Sequence, residues 1–136
     1  LSDSICTGLQ LANFWQDVTV DFAKNRVYMP LDILARHGAD VEQIARRRFD
    51  GKFAGAMREC VGTARKLFEE GLPLAGMLDR RLAVDIELFS RGGMKILEKI
   101  ERLNYDVLTR RPAISKMERV TLLLGTLVRQ TFSRAA

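Results

Sequence analysis

Gln10-Leu11-Ala12-Asn13-Phe14-Trp15-Gln16-Asp17-Val18-Thr19-Val20-Asp21-Phe22 carries two patterns at once. Asn13, Asp17 and Asp21 recur at every fourth residue, and Gln10 precedes Asn13 by three. On a helix this spacing stacks all four on one stripe, each about one turn above the last. Leu9, Leu11, Ala12, Phe14, Trp15, Val18, Val20 and Phe22 make most of the remaining circumference apolar. A helix of that kind belongs inside a protein. The carboxylates are therefore expected to face an interior cleft, where unpaired charge is costly. Two acids at i, i+4 also repel, so a cation is expected between them.

Outward from this segment the chain stays helical, with no convincing strand pattern. The first helix is predicted from about Ser4 to Phe22, and the loop 23–29 after it carries Lys24, Arg26 and Tyr28. Pro30 suits the first turn of a short helix, Leu31 to Arg36, which Gly38 ends. Asp40 with Gln43 resembles a capping box and opens another short helix to about Arg47. Phe53, Met57, Cys60, Val61, Ala64, Leu67 and Phe68 form one face of a long helix, about Lys52 to Glu70, stopped by Gly71 and Pro73. Residues 74–78 read as a brief helical turn. Asp79 caps the next long helix, with Leu82, Ile86, Phe89, Gly93, Ile96, Leu97, Ile100 and Leu103 expected inward. Glycines in mid-helix are destabilising, so Gly92-Gly93 imply a close helix contact or room for a ligand, with close packing the expected reason. Residues 104–112 break the pattern. Ser115 and Glu118 form a second capping box, opening a last helix with Val120, Leu123, Leu124, Leu127 and Val128 expected inward. The fold class is all-α: a helical bundle, or part of one.

A length of 136 residues fits one domain. Apolar residues make up 47% and mean hydropathy is −0.06, with no run able to span a bilayer and no signal-peptide pattern at the start. Leu1 and an opening that is already helical read as a segment of a longer chain. Cys6 and Cys60 lie in apolar helical contexts and read as small buried side chains in a reducing compartment. A net charge of +5 fits a moderately basic soluble protein, or a preference for anionic partners such as diphosphates or a membrane surface.

The candidate chemistry lies in the acidic stripe. Asn13, Asp17 and Asp21 offer oxygen donors alone, which suits Mg²⁺ or Mn²⁺ rather than zinc. Mg²⁺ commonly takes one or two protein carboxylates and completes its shell with water and substrate phosphates. Lys24 and Arg26, just past the helix, complete the charge balance on a phosphate. Other classes lack their residues. The single histidine, His37, reads as a surface or capping residue, and a di-iron bundle needs two Glu-x-x-His pairs. No nucleophile elbow, phosphate-cradling glycine loop or Cys-x-x-Cys is present. Arg46-Arg47-Arg48 and Arg110-Arg111 lack interleaved aromatics and read as solvated helix ends, so nucleic acid is not an expected partner.

Residues 10–21, followed by Asn25-Arg26-Val27-Tyr28-Met29-Pro30, resemble the second aspartate-rich region of squalene and phytoene synthases. There a Gln-x-x-Asn-x-x-x-Asp-x-x-x-Asp helix leads into an Arg-x-Tyr-x-Pro segment. The likeness extends weakly along the whole chain, to Leu103-Asn104-Tyr105-Asp106. It implies an all-α isoprenoid synthase bundle that joins two prenyl diphosphates head to head, with two acidic helices holding Mg²⁺ across a cavity. By the same resemblance Asn13, Asp17 and Asp21 are metal ligands and Gln10 borders the pocket. Arg26 and Tyr28 assist diphosphate binding or ionisation, and Tyr105 lines the cavity. Gln16 and Val20 stand where many relatives carry Arg and an acid. The Phe-Trp-Gln-Asp-Val wording is most similar to a bacterial branch linked to hopanoid synthesis, and within it to the member that converts presqualene diphosphate to hydroxysqualene.

No second Asp-x-x-x-Asp pair occurs in the 136 residues. The chain is therefore expected to be the C-terminal part of a single isoprenoid synthase domain, inactive alone, with self-association through the apolar surface left uncovered. The implied lipid product adds an expectation of peripheral membrane contact from the cytoplasm. The rival expectation is a non-catalytic helical assembly partner that keeps the fold.

Overall fold

A computed structural model describes residues 1–135, and side chains through residue 132. Among the described residues seven α-helices run α1 Ser2–Gln16, α2 Val18–Ala23, α3 Leu31–Arg36, α4 Val41–Arg46, α5 Gly51–Gly71, α6 Arg80–Arg102 and α7 Lys116–Ala135, with a 3₁₀ helix, Leu72–Met77, between α5 and α6. No strand occurs among the described residues, and no described helix is long and apolar enough to cross a membrane.

The helix boundaries follow local chemistry. Asp40 accepts from the Gln43 amide at 3.0 Å and the Gln43 side chain accepts from the Asp40 amide, closing the expected box. Asp50 and Asp79 cap α5 and α6. Ser115 and Glu118 exchange the same pair of bonds at the start of α7. Gly38 ends α3 at φ +73°, a conformation L residues avoid. Pro30 sits one residue before α3 rather than in its first turn, with extended backbone.

The core gathers where α1 packs on α5 and α6. Phe53, Met57, Cys60, Val61, Ala64 and Phe68 of α5 are all buried, as are Ala12 and Trp15 of α1 and Leu97 and Ile100 of α6. Gly93 is what lets α6 approach α5: a Cβ there would overlap the Phe68 ring, whereas Gly92 faces open space.

Four expectations are corrected. The first helix breaks at Asp17 (φ −105°, ψ 22°) instead of running through. Along the first half of α6, Ala83, Glu87 and Ser90 turn inward, while Leu82 and Phe89 are exposed. On α7, Thr126 and Gln130 are buried and Val120, Leu123, Leu124, Leu127 and Val128 are exposed. One cause serves both helices. Buried Glu87 accepts from Arg91 at 2.7 Å, from Arg129 at 2.7 Å and from Gln130 at 2.6 Å, so α7 docks through its polar side. Finally, Cys60 is buried but Cys6 is exposed, because α1 turns that side to solvent.

Candidate metal and diphosphate site

The break at Asp17 leaves the stripe's spacing intact. Asp17 N–H still donates to Asn13 O at 3.0 Å, and Asp21 N–H to Asp17 O at 2.8 Å. Asn13, Asp17 and Asp21 therefore remain at one-turn steps. The face they occupy differs from expectation. Gln10 and Asn13 are exposed, the Asp17 side chain is 28% exposed and Asp21 is half-buried. The apolar residues between them are spent on the core: Ala12, Trp15 and Val18 are buried against α5 and its neighbours. The stripe is thus left facing outward, with no enclosing cleft among the described residues.

The chain turns sharply after α2. Lys24 and Arg26 N–H both donate to Asp21 O at 2.9 Å, and Asn25 adopts φ +60°. This turn returns Tyr28 onto α1, where its ring stacks on Phe14 at 3.9 Å between centroids and 3° between planes. Asp21, Arg26, Tyr28 and Phe14 then line one crevice of about 10 Å³, about the room of a single water. The Lys24, Arg26 and Tyr28 side chains are exposed beyond it. Tyr105 stands apart from that crevice. It follows α6 with φ +66°, packs at the edge of the core and lies under Arg58, whose guanidinium carbon is 5.3 Å from the ring centroid.

Among the described residues one positive side chain reaches the stripe, Arg111, and it pairs with Asp17 rather than lying between the two acids. Its Nε donates to Asp17 Oδ1 at 2.8 Å from 94 residues away. Alongside, Gln16 Nε2 donates to the Pro112 carbonyl at 2.6 Å. Arg111 is therefore not at a solvated helix end but in the connection between α6 and α7, and no local signal links residue 111 to residue 17.

Among the described residues no three His, Cys, Asp or Glu gather as a closed site. One amide and two carboxylates on one edge fit an ion that takes one or two carboxylates and fills its shell with water and phosphate. They do not fit a closed structural centre.

A family model described as squalene/phytoene synthase matches residues 1–118. The chain belongs to the squalene/phytoene synthase family. A phytoene synthase of Thermus thermophilus is 37% identical over 116 residues, covering 85% of this chain and 39% of that protein. A hydroxysqualene synthase of Rhodopseudomonas palustris is 28% identical over 139 residues, covering 98% and 47%. The crystal structure of squalene synthase HpnC from Alicyclobacillus acidocaldarius superposes with a TM-score of 0.75 at 38% identity, covering 76% of this chain and 40% of that one. The chain therefore spans less than half the length of these relatives, and its helices have the all-α isoprenoid synthase fold of the squalene/phytoene synthase family.

Proposed function

We propose that this chain supplies one acidic wall of a divalent-cation site in an enzyme that acts on prenyl diphosphates. The observation that carries the reading is the Asn13/Asp17/Asp21 stripe, kept at one-turn spacing within the family-matched residues. The reaction is head-to-head condensation of farnesyl or geranylgeranyl diphosphate, or conversion of presqualene diphosphate to hydroxysqualene or squalene. Likeness to hydroxysqualene synthases over 98% of the chain supports the conversion.

Asn13, Asp17 and Asp21 would hold Mg²⁺, or Mn²⁺ in its place. When bound, the ion neutralises charge growing on the leaving diphosphate. Arg26 offers a planar fork of donors to phosphate oxygens, Tyr28 a phenolic O–H, and Lys24 a compact positive charge. Gln10, one turn from Asn13, borders the site with its amide. Tyr105 lines the hydrocarbon side, where an apolar wall excludes water from a carbocation. Residues 1–136 form the C-terminal part of one isoprenoid synthase domain. The opposite acidic wall comes from elsewhere in the protein, so the chain is inactive by itself. Peripheral membrane contact from the cytoplasm follows from the hydrocarbon product. Self-association through the outward apolar faces of α6 and α7 is supported by the exposure of Leu82, Phe89, Leu124 and Phe132.

The test is an assay of the whole protein containing these residues with farnesyl, geranylgeranyl and presqualene diphosphates. Turnover is expected with Mg²⁺ and none after chelation. Equal turnover without a divalent ion overturns the metal role. No turnover of any of the three favours the alternative, a helical assembly partner that kept the fold.

A further inference from the structure

The connection between α6 and α7 crosses the end of α1 at two adjacent points. Gln16 Nε2 holds the Pro112 carbonyl at 2.6 Å, and Arg111 Nε holds Asp17 Oδ1 at 2.8 Å. Pro112 is buried, and a residue before proline is restricted to extended backbone. Arg111 is therefore delivered to Asp17 from a main chain held at the neighbouring Pro112 carbonyl, although its side chain is 49% exposed. We propose that Arg111 is a place-holder on the Asp17 carboxylate that a divalent cation must displace. Gln16 keeps the connection in place when the guanidinium lets go. This inference rests on the reading of Asp17 as a metal-facing carboxylate.

The chemistry is a competition for one acceptor. A guanidinium and a divalent ion both seek the Asp17 oxygens, and two cations on one carboxylate repel each other. The contact uses one N–H on one oxygen, not the bidentate fork that makes arginine pairs strong. It is partly exposed at both ends, so it neutralises Asp17 without locking it. Removing the guanidinium should tighten the cation by about two- to fivefold, the range that a half-exposed ion pair is worth.

The measurement is Mn²⁺ binding to the whole protein containing these residues, without diphosphate, followed by loss of the free-ion EPR signal. Wild type, Arg111→Ala and Asp17→Ala are compared at low and high salt. The expected result is a two- to fivefold lower Kd for Arg111→Ala at low salt, a gap that narrows as salt screens the pair, and loss of binding in Asp17→Ala. On Mg²⁺ titration the Arg111 Nε–H resonance of the wild type should shift, while the amide resonance of the Gln16 side chain stays. If Asp17→Ala loses binding but Arg111→Ala binds like wild type or more weakly, the place-holder is overturned and the metal site stands. If Asp17→Ala binds like wild type, or no variant binds Mn²⁺, both fall.

Discussion

Asp17 ends the helical geometry of α1 and accepts Arg111 from across the chain. Its membership of the acidic stripe is readable because four-residue spacing is local. Its partner is not, because nothing between residues 17 and 111 encodes that meeting. The two adjacent glycines show the same limit. Both interrupt a helix, yet only Gly93 lies against Phe68. Gly93→Ala is expected to cost about 1–3 kcal/mol, since the buried Phe68 ring must move, while Gly92→Ala should gain about 0.5–1 kcal/mol from helix propensity. Chemical denaturation of the two variants checks both signs, and equal effects would deny the close approach. Burial pushes the Cys60 thiol up to about 12, with Glu59 and Asp32 adding to it. A thiol reagent at neutral pH should therefore modify exposed Cys6 and spare Cys60, one label per native chain by mass spectrometry. Rapid double labelling would contradict the packing.

α7 is the element whose docking the sequence hides. Its start was legible from Ser115 and Glu118, whose capping box needs four residues. Its inward face was not, because apolar spacing marks a stripe without saying what covers it. Here the covering contact is polar and centres on Glu87 of α6. Burial would raise the Glu87 carboxyl, but hydrogen bonds from Arg91, Arg129 and Gln130 outweigh it and hold the group below its ordinary value of 4.5. A carboxyl lowered in the folded state adds stability above its unfolded pKa and loses it as pH falls through the folded value. The protection of amides in residues 116–132 is thus expected to drop on acidification below about pH 4.5. Glu87→Gln should reproduce that loss at neutral pH, at roughly 1–3 kcal/mol. Hydrogen exchange reads both, and unchanged protection in the variant would remove Glu87 from the docking of α7.

For the molecule as a whole, the all-α class was legible from apolar periodicity and caps, and the core of α1 and α5 formed where that periodicity placed it. The cleft was not legible, since whether a stripe is enclosed depends on what packs opposite, and among the described residues only the connection carrying Arg111 and Pro112 crosses it, at its Asp17 end. Apolar side chains of α6 and α7 face outward instead, Met117 at 81% and Phe132 at 71% exposure. Such a surface should bind an apolar dye. Leu124→Glu with Val128→Glu is expected to reduce dye fluorescence while leaving helical circular dichroism intact; undiminished fluorescence would place the apolar surface elsewhere.

The acidic stripe is tested most directly by Mg²⁺-dependent turnover of prenyl diphosphate in the whole protein, comparing wild type with Asp17→Ala and Asp21→Ala. Loss of a ligand should lower turnover by at least the roughly 10- to 100-fold that losing a supporting partner costs a metal site. Full activity in both variants would contradict the stripe's role as a metal wall.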